Sequence, residues 1–278
     1  MNTVSTDFSA QDAQTNVSNT PHTLPNISFA THNVRSFTNI AKQNSLVALY
    51  SSLNLDIIGL QETNFSSHSH STFNRTFSNK FTGFFGSSST SQLQKSGFGV
   101  GLLLRPHLAN HVFHHESKDN RIILVDLQFA NKQKLRIINC YPPPGNYNVR
   151  KQIHTNLMKY LRDAYSNNYH LVLLGDLNAD MDNPKLHSQD KRFFSNLNDM
   201  NLFDTFSVKY DAHRSDYPTH QGPISSSRID YIWSSVDVIS NLVGCETIQI
   251  TSDLTDHSIV ILYIDNFLDV SSNIGIFP

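Results

Sequence analysis

Short apolar runs that stop on a carboxylate or an amide recur along this chain. Residues 56–60 (DIIGL) close on Gln61-Glu62, residues 170–174 (HLVLL) run into Gly175-Asp176, and the run at 27–33 ends on Asn33. Apolar runs this short, bounded by turn residues, predict strands buried on both faces. Further strand-like runs lie at 97–104, 122–129, 135–141, 229–233 and 259–264, with Pro142-Pro143-Pro144-Gly145 closing the third of them. Between them the spacing turns helical. Leu46, Leu49, Tyr50 and Leu53 predict a helix over 38–53; Ile153, Leu157, Tyr160, Leu161 and Ala164 predict a second, and Phe193, Phe194, Leu197 and Met200 a third. Strands interleaved with helices predict an α/β fold.

The 278 residues suffice for one large domain with its own core. Residues 1–24 are rich in Ser, Thr, Asn and Gln and too poor in apolar side chains to offset chain entropy, so they are expected to be a disordered tail. One domain is expected over 25–265, with a C-terminal tail at 266–278. The net charge is −2, so no global positive field points to nucleic acid, and any such partner must be met by a local basic surface or a metal ion. Cys140 and Cys245 are the two cysteines, which excludes a disulfide framework and predicts reduced thiols in an intracellular protein. The first residues have neither a basic nor an apolar region of a secretory signal, and no run of eighteen apolar residues offers a membrane span.

The chemistry-bearing residues gather at strand ends, where α/β proteins place reacting groups. They are Asn33, Glu62, Asp176 with Asn178 (GDLN), Asp230 within RIDYIW, and Asp256-His257. Taken singly each has a structural reading. GDLN reads as a turn, Glu62 as a loop or capping acid, and Asp256-His257 as a hydrogen-bonded pair. Asp230 is the least ordinary, because a charge inside a strand must be paired or hydrated. Together they form a kit. Hard oxygen ligands such as Glu62 and the Asp carboxylates suit Mg²⁺ or Mn²⁺. Such an ion can hold a phosphate oxygen and offset transition-state charge. An Asp with an Asn two residues on can take a proton from an attacking water, and an Asp–His pair supplies an imidazolium to a pentacoordinate phosphate.

The ordered set HNV (32–34), QET (61–63), CYPPP (140–144), GDLN (175–178), SRIDYIW (227–233) and TDH (255–257) resembles the endonuclease/exonuclease/phosphatase superfamily. Within it the set is most similar to the apurinic-type endonuclease domain of non-LTR retrotransposons. The resemblance covers about residues 27–264 and implies two packed β-sheets flanked by helices, a four-layer sandwich with its site at one end. It implies that Asn33 and Glu62 position metal and phosphate, that Asp256 lies beside the metal, and that Tyr141 contacts the phosphate. Asp176 and Asn178 would handle the nucleophilic water, and Asp230 would orient His257. The implied activity is Mg²⁺- or Mn²⁺-dependent nicking of duplex DNA by a monomer, with a nuclear location. Three positions depart from the pattern: Arg35 stands where many relatives have an acid or Asn, Pro144 where they often have Asn, and Thr255 where Ser is usual. Ser227 occupies a position where abasic-site repair enzymes usually hold an aromatic ring, which favours intact duplex as substrate. A catalytically inactive binding relative, or a phosphoesterase for lipids or small molecules, are the alternatives.

Other candidates have plainer readings. His111, His114 and His115 lack further zinc ligands at usual spacing. His68 and His70 are expected in a solvated Ser-rich loop. Phe77, Phe81, Phe84 and Phe85 are expected to pack a core strand rather than stack bases.

Overall fold

The computed structural model describes residues 27–86, 97–210, 217–222 and 224–265; the expected N- and C-terminal tails lie outside them. In chain order the elements are β1 (Ile27–Asn33), α1 (Ile40–Ser52), β2 (Ile57–Gln61), α2 (Ser67–Phe77), β3 (Thr82–Phe85), β4 (Val100–Leu104) and α3 (Pro106–Ala109). Then come β5 (Val112–Lys118), β6 (Ile122–Gln128), β7 (Lys134–Cys140), α4 (Tyr147–Ser166), β8 (His170–Asp176), α5 (Ser188–Asp199), β9 (Leu202–Asp204) and α6 (Thr205–Tyr210). The last are β10 (His220–Gln221), β11 (Ser226–Ser227), β12 (Asp230–Ser235), α7 (Val236–Ile239), β13 (Leu242–Ile248) and β14 (Ile259–Ile264).

Twelve of the strands form two mixed six-stranded sheets, ordered β13-β14-β1-β2-β4-β3 and β5-β6-β7-β8-β12-β9, while β10 and β11 pair antiparallel by themselves. Each sheet contains one parallel pair, β1–β2 joined through α1 and β7–β8 joined through α4. The remaining neighbours are antiparallel. The carboxyl ends of β1, β2, β7 and β8 therefore face one end of the molecule.

Three apolar clusters define four layers. Ile57, Leu102, Val125, Ile137, Leu174 and Ile232 belong to the layer between the sheets. Leu46, Tyr50 and Phe73 of α1 and α2 cover the outer face of the first sheet, with Ile58 and Leu103. Ile153, Leu157 and Phe194 of α4 and α5 cover the outer face of the second, with Leu173 and Trp233. Strand parity assigns each residue to a face. Along β8, Leu171 and Leu173 meet the helices while Val172 and Leu174 meet the other sheet. Asp176, two residues on, is thereby aimed into the layer between the sheets. The same parity turns Asn33 of β1 and Asp230 of β12 inward.

A buried polar bridge fixes the two sheets against each other. Gln61 Nε2 donates to Thr31 Oγ1 (2.9 Å) and to Asn139 Oδ1 (2.6 Å), while Asn139 Nδ2 donates to the carbonyls of Leu60 and Gly101, both at 2.8 Å. Leaving any of these groups unmade in a dry layer costs about 1–3 kcal/mol, so the bridge favours one stagger of the sheets.

The structure corrects part of the sequence reading. His68 is exposed as expected, but it and His70 lie on α2 and not in a loop: Ser66 caps that helix, and His70 packs on the Phe65 and Phe85 rings. Phe77 closes that helix rather than packing a strand, whereas Phe84 and Phe85 lie on β3 as core-facing residues. An N-cap serine was the available signal for the helix, but its polar, Ser-rich first turn masked the pattern. His111 immediately precedes β5, and His114 and His115 lie on that edge strand, where His114 Nδ1 meets Asp126 Oδ2 at 3.2 Å. They join no metal-holding group among the described residues.

Candidate active site

Pairing between β8 and β12 sets Asp176 directly across from Asp230. Two carboxylates at opposed positions on one buried face repel each other unless a proton or a cation intervenes. That cation is His257, whose Nδ1 lies 2.9 Å from Asp230 Oδ2 and whose Nε2 lies 4.0 Å from Asp176 Oδ2. Thr219 Oγ1 donates to the same Asp230 oxygen at 2.6 Å and receives the Asp230 backbone N–H at 3.0 Å. All three titratable groups are buried.

Burial, and next the Asp230 charge, push the Asp176 carboxyl up to about 7, against the pull of His257 and the amides of Asn33 and Asn178. Burial alone pulls the His257 ring down. Asp230, through charge and hydrogen bond, with Asp176 and Asp256 behind it, outweighs burial and lifts the ring to about 9. At neutral pH the site thus holds a carboxyl poised to accept a proton beside an imidazolium.

Asn33 reaches across from the first sheet. Its Nδ2 donates to Asp176 Oδ2 at 3.0 Å and to Glu62 Oε1 at 3.1 Å. The Tyr141 hydroxyl donates to the same Glu62 oxygen at 2.6 Å, so hydrogen bonds hold Oε1 and leave Oε2 available. Glu62 and Asn178 both adopt left-handed backbone conformations, with φ of 55° and 47°. Such angles are uncommon outside glycine, and for a glutamate at a strand end they indicate a side chain aimed at some backbone cost. Asn178 is held in place by its N–H to Asp176 Oδ1 (2.8 Å) and its side-chain amide to the Pro142 carbonyl (3.0 Å). Gly175 makes the approach possible, because a Cβ there would lie 2.2 Å from the Cys140 carbonyl oxygen.

Asp256, expected beside a metal, stands at the rim. Arg35 Nη1 donates to its Oδ2 at 2.9 Å, while its buried Oδ1 makes no hydrogen bond among the described residues and lies 3.9 Å from His257 Nε2. The departure noted at Arg35 thus places a guanidinium where an acid would have added negative charge. Thr255 ties this loop to the site through Oγ1, which donates to the Asn33 carbonyl and accepts the His257 N–H.

Two metal-sized groups occur among the described residues: Asp176, Asp230 and His257, and His220, Asp256 and His257. Glu62, the expected ligand, joins neither. A histidine held protonated by Asp230 has no lone pair to offer, which favours a proton-handling role for the first group. Glu62 Oε2 and Asp256 Oδ1, neither hydrogen-bonded among the described residues, are hard oxygen donors that suit a magnesium- or manganese-like ion.

Four neighbours of the site gave no usable signal in the sequence. Thr219 anchors Asp230, and His220 places its ring 4.7 Å from that of His257. Lys42 Nζ ties α1 to the carbonyls of Val34 and Leu254. Arg121 is buried with its guanidinium 3.9 Å from the Phe98 ring and 4.9 Å from the Tyr141 ring. Lys42 and His220 lie on elements whose own pattern is unremarkable, and Thr219 and Arg121 on the segments just before β10 and β6; only the fold brings them together.

Opposed strand-end carboxylates, an imidazolium between them and a hydrogen-bonded glutamate beside them, at one end of a two-sheet sandwich, define a phosphoester-hydrolase type of site. The chain belongs to the endonuclease/exonuclease/phosphatase family, whose model matches residues 30–257. No curated protein gives a significant match. Among solved structures it is similar to a 3′ phosphatase from Neisseria bound to a product DNA hairpin, with a TM-score of 0.70 and 20% identity over 86% of this chain and 99% of that one. An AP endonuclease from Archaeoglobus fulgidus matches with a TM-score of 0.66 and 18% identity, over 86% and 99%. One from Leishmania major matches with 0.69 and 16%, over 86% and 88%. These likenesses establish the α/β sandwich.

Proposed function

We propose that this protein is a divalent-metal-dependent endonuclease that nicks duplex DNA. The observation that carries the reading is the Asp176–His257–Asp230 arrangement, in which a near-neutral base and a buried cation lie 4.0 Å apart between the sheets. Asp176 takes the proton of an attacking water, and Asn178, fixed by Pro142 and Asp176, holds that water in line. His257 stabilises the charge that builds on the phosphate, and Asp230 keeps it protonated and oriented. Tyr141, already donating to Glu62, turns its hydroxyl toward a phosphate oxygen. Glu62, with Asn33 beside it and Asp256 at the rim, would hold Mg²⁺ or Mn²⁺, which would supply electrostatic stabilisation of the phosphate.

The six ordered motifs favour the retrotransposon type of endonuclease, acting as a monomer on intact duplex in the nucleus. The DNA named in the Neisseria complex supports nucleic acid over lipid or small-molecule substrates. The described residues contain no helix long and apolar enough to cross a membrane.

Supercoiled plasmid incubated with Mg²⁺ should convert to open circle, and Asp176→Asn, nearly isosteric, should abolish the conversion without unfolding the protein. Equal nicking by both proteins in EDTA would refute the reading. In competition between abasic and intact duplex, a preference for abasic sites of about a hundredfold, or about 2.7 kcal/mol, would assign the protein to repair instead.

A further inference from the structure

Away from the active site, α4 and α5 enclose a half-open groove of about 260 Å³. Lys151, Lys159 and Arg162 line it from α4 and Arg192 from α5. The three α4 cations recur at helical spacing along one stripe and span about 16 Å of helix. All four are exposed. The lining contains no carboxylate, and none of the four has an ion-pair partner among the described residues. The nearby acids are already committed: Asp163 pairs with Arg136, and Asp190 is buried against Arg150.

This concentration of charge is not inherited from composition, since the chain as a whole carries −2. Four uncompensated cations around one concavity repel each other, and that arrangement is relieved by an anion seated among them. Gln189 adds a buried, unpartnered side-chain amide oxygen to the lining. Asn and Gln ends exchange oxygen for nitrogen without changing shape, so this amide can equally present a donor to an anion. The floor is apolar and rigid: Met158 is buried, and His154 lies stacked on Phe193 with centroids 4.1 Å apart.

The direction of the groove selects its occupant. Arg150, one residue before Lys151, donates to the carbonyls of Pro143 and Leu177, which flank Tyr141 and Asn178. The groove therefore begins next to the two loops that carry those residues and runs along α4 away from them. An anionic chain leaving the active site on this side would enter it. We infer that the α4–α5 groove is a second binding track for the phosphate backbone of a nucleic-acid strand, continuous with the active-site end of the fold. The inference deepens the nuclease reading by adding a contact that holds the strand outside the reacting centre.

The test uses the full chain in EDTA, so that no turnover occurs. Fluorescence anisotropy would follow a labelled single strand, the same sequence as duplex, and a polyglutamate of equal charge over a salt series. The comparison is between wild type and the combined Lys151→Gln, Lys159→Gln, Arg162→Gln and Arg192→Gln variant, with Lys159→Glu alone as a milder second variant. The combined variant should lose at least about tenfold in affinity at low salt. The slope of log affinity on log salt should fall by about 3 for single strand or nearer 4 for duplex, the value for four phosphate contacts, and the arm with the larger loss identifies which form occupies the groove. Lys159→Glu should shift in the same direction. In a separate assay with Mg²⁺ restored, hydrolysis of a nitrophenyl ester of a single nucleotide, too short to reach the groove, should not change. Unaltered oligonucleotide affinity and slope in both variants would overturn the inference. So would polyglutamate binding as tight as the oligonucleotide and lost in the same variants, which would make the partner an acidic protein. Should wild type bind the strand through these residues yet nick no plasmid, the groove stands and the nuclease reading falls.

Discussion

Replacing Asp230 with Asn removes a charge while keeping the shape of the side chain, and the structure sets the size of the effect. Asp230 Oδ2 lies 2.9 Å from His257 Nδ1, and burial alone would pull that ring below its ordinary 6.5; with its acid neighbours it reaches about 9. The interval corresponds to an interaction on the order of 3 kcal/mol between ring proton and surroundings, Asp230 foremost. At pH 8 a ring at about 9 is roughly 90% cationic, whereas one at 6.5 or lower is cationic in at most about 3% of molecules. Loss of the cation alone therefore lowers kcat by about thirtyfold at pH 8, and loss of orientation brings the total to at least about a hundredfold. The pH profile identifies the cause. In wild type, kcat/KM should rise as Asp176 ionises near 7 and fall as His257 deprotonates near 9. In Asp230→Asn the alkaline limb should move to lower pH, because burial is then opposed only by Asp176 and Asp256, and the maximum should be lower. Stability follows the same sign: the raised ring contributes fully below 6.5, and its contribution is lost as pH rises through about 9. His257→Ala should cost as much as Asp230→Asn, and the double variant little more, because the two act as a unit. An unmoved alkaline limb, losses that multiply, or an Asp230→Asn defect expressed chiefly in Mg²⁺ affinity would refute the pairing as the source of catalysis.

Two further outcomes concern residues placed by the backbone. Glu62→Ala should raise the Mg²⁺ concentration for half-maximal rate by at least about tenfold, a change Asp230→Asn should not share; metal titration of the nicking rate checks this. Gly175→Ala should lower the melting temperature sharply, with a loss of roughly 3 kcal/mol, because a Cβ 2.2 Å from the Cys140 carbonyl would force β7 and β8 apart. An unchanged melt would show that the backbone relaxes there freely.

Much of the fold was legible because buried strands write themselves as uninterrupted apolar runs. β1 and β14 fall at 27–33 and 259–264, as the runs indicate, and the three longest helices lie over their apolar spacing. β5 and β13 were not legible. They are edge strands, with few fully buried residues and mixed polar sequence, so no period emerges from them. The same edge position explains HxxHH: two histidines on a solvent-facing strand and one just before it look like a ligand set only when the sheet is unknown.

The candidate site was legible for a different reason. Parity along a strand is arithmetic: once Leu174 faces the layer between the sheets, Asp176 must, and in the second sheet Ile232 does the same for Asp230. What parity cannot give is register. That Asp230 falls opposite Asp176, and not two residues away, depends on how β12 slides along β8, and a shift by two would keep the face while separating the carboxylates. Thr219 and His220 depend on a still longer loop. Register is thus the step at which sequence reasoning stops and the fold must be seen, and it converts two strand-end acids into one pair able to hold a proton and a cation between them.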